Sequence, residues 1–392
     1  MKRVGIYLGF PPEGGGAFQY AQSVLSALSA LPSTQYRIVV AYSHPAWASR
    51  LDGCDAQVER IWVHEGLLDS AIRAGLRFGF PLSLWRLMAP AIHPLTRCLR
   101  HATCDLWVFP AQDVWTYAIP VPALGVVHDL MHRYESRFPE VSAFGLYQRR
   151  ERHYRRLCRH TRGVLVDSEV GRRQLIESYH PPPGRVHVLP YVAPAYMQVE
   201  ATPAGFDERY RLPERFIFYP AQFWEHKNHV RLLEALAMLR PELPDLHLVF
   251  VGSAKNAYRR VLETIDRHGL ADRVKILGYV PDEDMPEFYR RALALIMPTF
   301  FGPTNIPPLE AMVAGCPMAI SAIYGMPEQV GDAALLFDPG SVEGIAEAMR
   351  KLATDDALRR RLAAAGREHA GRWAQPQFGG RLAEIIDTVL QQ

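Results

Sequence analysis

The sequence predicts an α/β protein built from two doubly wound, parallel-sheet domains. Three observations lead there. The chain has 392 residues and is 48% hydrophobic, ample for two cores of ordinary domain size. Short apolar runs without polar alternation, as expected of strands buried on both faces, alternate with amphipathic segments of helical period. The alternation then lapses in the stretch 191–213, broken by Pro194, Pro203, Gly205 and Pro213, and starts afresh. Two successive βα series fit two domains better than one large sheet.

Taken in order, residues 4–8, 37–42, 106–109, 124–127 and 163–166 read as strands, with helices over 17–31 and 143–158 among those between them. The second series has strands over 215–219, 247–251, 274–277 and 293–297. Its helices fall at 229–239, 256–268, 285–291 and 309–314. After Asp338-Pro-Gly340 come helices over 341–353 and 356–372, and a last one near 378–390. The expected domains are 1–195 and 205–375, with 376–392 a terminal helix that packs back on the first domain.

Composition excludes several classes. A net charge of +3 is too small for a chain that binds nucleic acid with its whole surface. Cys54, Cys98, Cys104, Cys158 and Cys316 are odd in number and have no metal or redox spacing, so free thiols in a reducing cytosol are expected. The N-terminal apolar run is too short for a signal peptide and reads as a first strand. No stretch of ~18 uncharged apolar residues is present, so no spanning helix is expected.

Thr299-Phe-Phe-Gly-Pro-Thr-Asn-Ile-Pro-Pro-Leu-Glu-Ala-Met-Val-Ala-Gly-Cys-Pro317 carries the densest chemical signal. An apolar strand turns through Gly302-Pro303 and opens a helix at Pro307-Pro308, where proline's missing N–H would have no partner anyway. First-turn N–H groups, from Leu309 onward, make a ready anion site. Glu310 in that turn would be repelled by a phosphate and is better suited to accept hydrogen bonds from sugar hydroxyls. An acid in a first turn also stabilises the helix by itself, by ~0.3–1 kcal/mol.

Other motifs flank the expected strand ends. Gly14-Gly-Gly16 follows the first strand and lets backbone approach a phosphate or sugar, or is simply a flexible loop. It is not G-x-G-x-x-G, and the second strand ends in Tyr42-Ser43-His44 without a ribose-binding acid, which argues against a nicotinamide enzyme. Val126-Val127-His128-Asp129 ends a buried strand, where ligands of open α/β sheets sit. His128 there could bind a hydroxyl or move a proton, or be a structural ring bonded to backbone. His132 in the same loop is a weaker candidate. Lys227, in Phe218-Tyr-Pro-Ala-Gln-Phe-Trp-Glu-His-Lys-Asn228, falls near a helix start, where a cation is unfavourable unless a phosphate neutralises it. A solvated surface lysine is the alternative. Asp282-Glu-Asp284 reads as helix-capping acids rather than metal ligands.

Two stretches are basic: Arg149, Arg150, Arg152, Arg155, Arg156, Arg159 and Arg162 within 147–162, and Arg73, Arg77, Arg86, Arg97 and Arg100 among Leu, Phe and Trp within 71–100. Such a face can lie on an anionic membrane, or be a solvated helix face paired with local acids.

Together these pieces resemble the retaining glycosyltransferases of family 4, of the GT-B fold: α/β, with two Rossmann-like doubly wound domains facing across a cleft. The resemblance covers the full length and is densest over 218–317. Gly14–Gly16 matches the family's early glycine loop, His128 its first-domain histidine, and 166–175, with Ser168, its serine-containing strand–helix junction. Lys227-Asn228 matches the Lys-Asn step, Tyr279-Val280 the part bordering the nucleotide base, and Phe301-Gly302…Leu309-Glu-Ala-Met312 the family signature. Two positions depart. The first of two signature glutamates is Gly302, and the usual Arg five residues before the lysine is Gln222. A branch of the family with a Phe-Gly-Pro-Thr-Asn pattern looks similar, and there Thr304, Asn305 and nearby amides contact the sugar.

The resemblance implies transfer of a sugar, with retention, from a nucleotide diphosphate donor to an acceptor hydroxyl in bacterial surface-polysaccharide synthesis. GDP-mannose is the favoured donor, with UDP- and dTDP-sugars open, and a glycan or lipid-linked glycan is the acceptor. His128, Lys227 and Glu310 are the expected catalytic residues. Gly15, Gly16, Gln222, Lys227, Tyr279, Val280, Thr304, Asn305, Ile306 and Glu310 are the expected donor-binding residues. Neither metal nor cofactor is expected, nor a nucleic-acid partner. The expected location is cytoplasmic, peripheral at the inner face of the plasma membrane through 71–100 and 147–162. Two other readings fit the same chain: a nucleotide-sugar epimerase of this fold, which would need further carboxylates in the cleft, and a non-catalytic sugar-binding protein.

Overall fold

The computed structural model describes residues 1–10, 15–51 and 58–392; Gly14 and Cys54 lie outside them. By its contacts the chain forms two units. The first comprises Met1–Tyr134, Ser142–Val192 and Gln375–Gln392, and the second Glu135–Val141 and Ala193–Ala374.

The first unit holds a seven-stranded sheet. Its strands are β1 (Lys2–Leu8), β2 (Tyr36–Tyr42), β3 (Glu59–Trp62), β4 (Leu106–Val108), β5 (Ala123–Val126), β6 (Gly163–Val166) and β7 (Val186–Val188), in the order β3-β2-β1-β4-β5-β6-β7. Every pairing is parallel. β1, β4, β5 and β6 are apolar and buried almost throughout, as strands covered on both faces must be. The edge strand β3, Glu-Arg-Ile-Trp, is half-exposed, and its polar residues are why no apolar run marks it. The terminal helix Gln375–Gln391 lies on this unit: Gln375 Nε2 donates to the Ser23 carbonyl (2.8 Å) and Lys2 pairs with Asp387 (2.6 Å).

The second unit holds six parallel strands, β8 (Phe216–Pro220), β9 (His247–Val251), β10 (Val274–Ile276), β11 (Ala294–Met297), β12 (Met318–Ser321) and β13 (Ala334–Phe337), in the order β10-β9-β8-β11-β12-β13. Strand order reverses between β8 and β11, and ligands of open α/β sheets bind outside the carboxyl ends at such a point. Phe218, Tyr219, Leu295 and Ile296 on these two strands are fully buried.

Three expectations about elements are corrected. The helix expected over 143–158 begins at Leu146 and runs to His160, because Phe144 (φ 52°) and Gly145 (φ 75°) turn the chain left-handed just before it. The helix expected from 309 begins at Ile306, because extended Asn305 ends the loop earlier. Asp284 precedes the Met285–Arg291 helix but makes no cap bond. It is buried, and its carboxylate accepts from Tyr210 (2.5 Å) and Arg209 (2.6 Å). Cys98, Cys104, Cys158 and Cys316 are free thiols. Among the described residues no helix is long and apolar enough to cross a membrane.

Candidate active site

Two loops meet at the reversal point of the second unit. One leaves β8 and ends in a short 3-10 turn, Glu225–Lys227. The other leaves β11 and runs through Gly302 to Asn305. Asn228 is left-handed (φ 60°) and buried, and its amide donates to the Pro298 and Pro339 carbonyls, both at 2.9 Å. The Phe300 N–H donates to the His226 carbonyl (2.7 Å), and Tyr219 Oη donates to the Lys227 carbonyl (2.9 Å). An asparagine after the lysine is therefore the clip between the loops, since Asn tolerates that backbone and supplies two donors. The result brings Lys227 Nζ to Asn305 Oδ1, 3.2 Å. Of the expected site residues, these two are in contact.

Asn305 is fixed from three sides. Its N–H donates to Gln329 Oε1 (3.0 Å), its carbonyl accepts from Gln329 Nε2 (2.6 Å), and its amide nitrogen reaches Met326 Sδ (3.6 Å). The fourth constraint is Gly302, at φ 141°: a Cβ built there would lie 2.1 Å from Asn305 Nδ2. The amide of Asn305 thus fills the space a side chain at 302 would need. The departure of Gly302 from the signature and the presence of Asn305 are one structural fact.

Glu310 is not in the first turn. The helix Ile306–Ala314 has no acid there, and Glu310 is its fifth residue. Its carboxylate accepts from Tyr289 Oη (2.5 Å) and from Tyr196 Oη, and it is 4% exposed. Burial pushes its carboxyl up, and the two phenols pull it only partly back. The first turn also has fewer donors than expected. Pro307 and Pro308 have no N–H, Gln329 holds that of Asn305, and Leu309 is the fourth helical residue, whose N–H belongs to the ladder. The Ile306 N–H remains.

The other donor-side residues separate by exposure. Tyr279 is 79% exposed, whereas Val280 is 4% exposed and part of the core, so only its backbone could meet a base. Gln222 Oε1 accepts from Trp224 Nε1 (2.9 Å). Thr304 and Ile306 are half-buried. In the first unit, Gly15 (φ 56°) and Gly16 open the Gly16–Ser29 helix and are exposed.

His128 Nδ1 lies 2.8 Å from Tyr191 Oη, and its Nε2 is buried without a hydrogen bond of ordinary geometry. Burial pulls it down to about 4, against Asp129 and the Pro110 backbone, so the ring is neutral. In Asp129, burial pushes the carboxyl up, but Arg150, the Met131 N–H, His128 and His132 together hold it below its ordinary value. His132 Nε2 meets Glu151 Oε1 and Tyr179 Oη, both at 3.0 Å, fully buried, a structural role. Ser168 Oγ accepts from the Gly171 N–H (3.0 Å) as the N-cap of the Glu169–Tyr179 helix.

Gln329, Tyr196 and Tyr289 were not foreseen. They act on Asn305 and Glu310 across 24, 114 and 21 residues, and no local pattern announces such partners. The basic stretches are only partly paired: Arg73 meets Glu65 and Asp113 at 2.7 and 3.1 Å, Arg150 meets Asp129, and Arg155 meets Glu151.

Two parallel, doubly wound sheets on one chain, the second with a lysine and an amide at its reversal point, define the GT-B class of fold. Residues 206–369, nearly all of the second unit, match the family described as glycosyl transferases group 1. O-antigen chain mannosyltransferase B of Escherichia coli is 29% identical over 201 residues, 50% of this chain and 52% of that protein. Mannosylfructose-phosphate synthase of Agrobacterium fabrum is 26% identical over 276 residues, 64% and 60% of the two chains. The chain spans about half the length of the first of these relatives and 60% of the second. Anabaena HepE, solved with UDP and glucose, shares the fold with a TM-score of 0.72 at 17% identity, over 99% and 100% of the two chains. WaaG, a glycosyltransferase involved in lipopolysaccharide biosynthesis, does so with a TM-score of 0.68 at 18%, over 98% and 99%.

Proposed function

We propose that the protein is a retaining glycosyltransferase that moves a sugar, mannose in the favoured case, from a nucleotide diphosphate donor to a hydroxyl of a glycan or lipid-linked glycan. The observation that carries this is the Lys227–Asn305 contact at the carboxyl ends of β8 and β11. A cation and an oriented amide there suit a leaving diphosphate and the sugar attached to it. The relatives named as mannosyltransferases support the sugar, and the neighbour solved with UDP supports the donor class.

In the proposed reaction the bond between the anomeric carbon and the diphosphate oxygen breaks. A bond to the acceptor oxygen forms on the same face, and the acceptor proton passes to the leaving diphosphate. Lys227 offsets the charge that builds there, with no metal required. Asn305 orients the sugar, with Thr304 and the Ile306 N–H beside it. Glu310, held by two phenols, is the proposed ribose acceptor, and Tyr279 the side chain that meets the base. Neutral His128 is the proposed hydroxyl-binding ring.

Peripheral membrane contact is part of the proposal. Leu84, Leu87, Met88 and Ile92 of the Leu82–Ile92 helix are 46%, 77%, 40% and 53% exposed. Such an apolar stripe near basic residues suits an anionic bilayer surface.

The test is a panel of intact GDP-, UDP- and dTDP-sugars, read by mass spectrometry for binding and hydrolysis, followed by NMR of the anomeric proton in any product. Turnover of one donor with retention is expected. Silence across the panel would sink the enzyme reading.

A further inference from the structure

The helices Leu67–Phe78 and Leu146–His160 of the first unit, with Gln112, Val114 and Tyr117, border an open cavity of about 180 Å³, well above the ~10–15 Å³ of such space that one water needs. Five arginines line it: Arg77, Arg149, Arg150, Arg152 and Arg156. Arg150 is paired with Asp129. The other four have no carboxylate partner among the described residues. Arg152 and Arg156 bond to backbone carbonyls of Arg77 and Leu76, which fixes their guanidinium groups in place without neutralising them. Four uncompensated cations around one small space repel each other, and a protein keeps such an arrangement stable more readily when an anion fills it.

Two more observations point into the same cavity. Gln112 Oε1 accepts from Tyr154 Oη (3.0 Å), but its Nε2 is buried without a partner. His153 Nε2 is likewise buried and unpartnered, its ring packed edge-on against Tyr117 and Tyr154 at 5.3 and 5.2 Å. Orphaned buried polar atoms are rare in folded proteins, and two of them sharing a wall with four guanidinium groups that lack a carboxylate call for a ligand rich in acceptor oxygens. Burial, then Arg150, Arg77, Arg149 and Arg156, hold His153 down at about 3. The groups facing it are therefore cationic from both helices, with the phenols of Tyr117 and Tyr154 beside them and Asp129 paired with Arg150.

We propose that this cavity is a binding site for a phosphate or diphosphate ester. Planar guanidinium groups pair two-pronged with phosphate oxygens, and Gln112 Nε2 and His153 Nε2 would supply two further donors. This deepens the reading above, in that a lipid-linked glycan acceptor carries such a group. The test reads binding and not transfer, so it can fail alone.

Pyrophosphate is titrated calorimetrically into the full chain and into the Lys227→Ala variant, which weakens the donor site. Binding in both is expected, with at least a tenfold loss in Arg77→Gln/Arg149→Gln. The His153 ring, followed by NMR, should titrate at least one pH unit higher with pyrophosphate present. That measurement on the unaltered protein holds even if the double variant does not fold. Displacement of pyrophosphate by a prenyl diphosphate in micelles supports the acceptor as the source. Displacement by phosphatidylglycerol vesicles alone supports a lipid headgroup. No pyrophosphate binding to Lys227→Ala, binding indifferent to the two arginines, or an unmoved His153 would each overturn the proposal, as would vesicle binding without any pyrophosphate binding.

Discussion

Gly302→Ala tests whether the amide of Asn305 and the bare backbone at 302 are one device. The backbone there has φ 141°, a region essentially confined to glycine, and a side chain held in it costs ~1–3 kcal/mol. The new Cβ would also lie 2.1 Å from Asn305 Nδ2. Relief comes only by turning the Asn305 side chain away. That breaks its bond from Lys227 Nζ and leaves a group 9% exposed without its partner, a further ~1–3 kcal/mol. A total of ~4 kcal/mol lowers the melting temperature of a domain this size by ~8–16 °C, at ~2–4 °C per kcal/mol. The assay is thermal unfolding of Gly302→Ala, Asn305→Ala and the double variant, with initial transfer rates alongside. In the double variant the backbone strain remains but the clash is gone, so its destabilisation should fall short of the sum by ~1–2 kcal/mol. Additivity within ~0.5 kcal/mol, or a Gly302→Ala protein as stable as its parent, would refute the reasoning.

Lys227→Ala should lower the transfer rate by ~10²–10³, the usual cost of removing one group that stabilises developing charge; a loss below tenfold would assign the diphosphate to other residues. Glu140 accepts from the His226 N–H (3.1 Å), lies 2.7 Å from His226 Nδ1 and accepts from Asn256 Nδ2 (2.8 Å). Burial pushes its carboxyl up, but these bonds hold it at about 2, below its ordinary 4.5. A depressed acid stabilises the fold above pH 4.5, by about 3 kcal/mol here, and that stability is lost as pH falls toward 2. Denaturant unfolding of Glu140→Gln should therefore show a constant deficit from pH 7 to about 4.5 that narrows below it, and a deficit independent of pH contradicts the assignment. On the proposed reading, in which Lys227 offsets the leaving charge, transfer should be unchanged by EDTA; a chelator-sensitive rate restored by added magnesium would count against it.

Much of the fold was legible because buried parallel strands advertise themselves. Val164-Leu-Val166 and Leu295-Ile-Met297 are uninterrupted apolar runs, and no other element tolerates them so well at that length. The sequence pattern does not mark β3, β7, β12 or β13: β3, β7 and β13 lie at sheet edges, Val-His-Val has too little pattern to read, and interior β12, Met-Ala-Ile-Ser, is a short run ended by a polar residue. Lys227 and Asn305 were legible as candidates because each sits just past a strand end. Their contact was not, since it depends on the left-handed turn at Asn228 and on Gln329, which no local sequence rule connects. The proline pair reads as a helix start and puts Glu310 in the first turn, whereas extended Asn305 already begins the helix and makes Glu310 its fifth residue.

The proline pair also changes how the site must handle charge. An ordinary helix start offers a phosphate several backbone N–H groups, and here Pro307 and Pro308 delete two while Gln329 occupies a third. What remains is rigid: proline fixes its own φ, and Gln329 grips both backbone polar groups of Asn305. A start with few donors but little freedom can orient a sugar well and neutralise a diphosphate poorly. Side chains must then supply most of the positive field, and Lys227, anchored through its own carbonyl by Tyr219 and through its neighbour Asn228 by two loop carbonyls, is the cation so placed. The loss on removing it should accordingly lie at the upper end of what a single charge-stabilising group contributes.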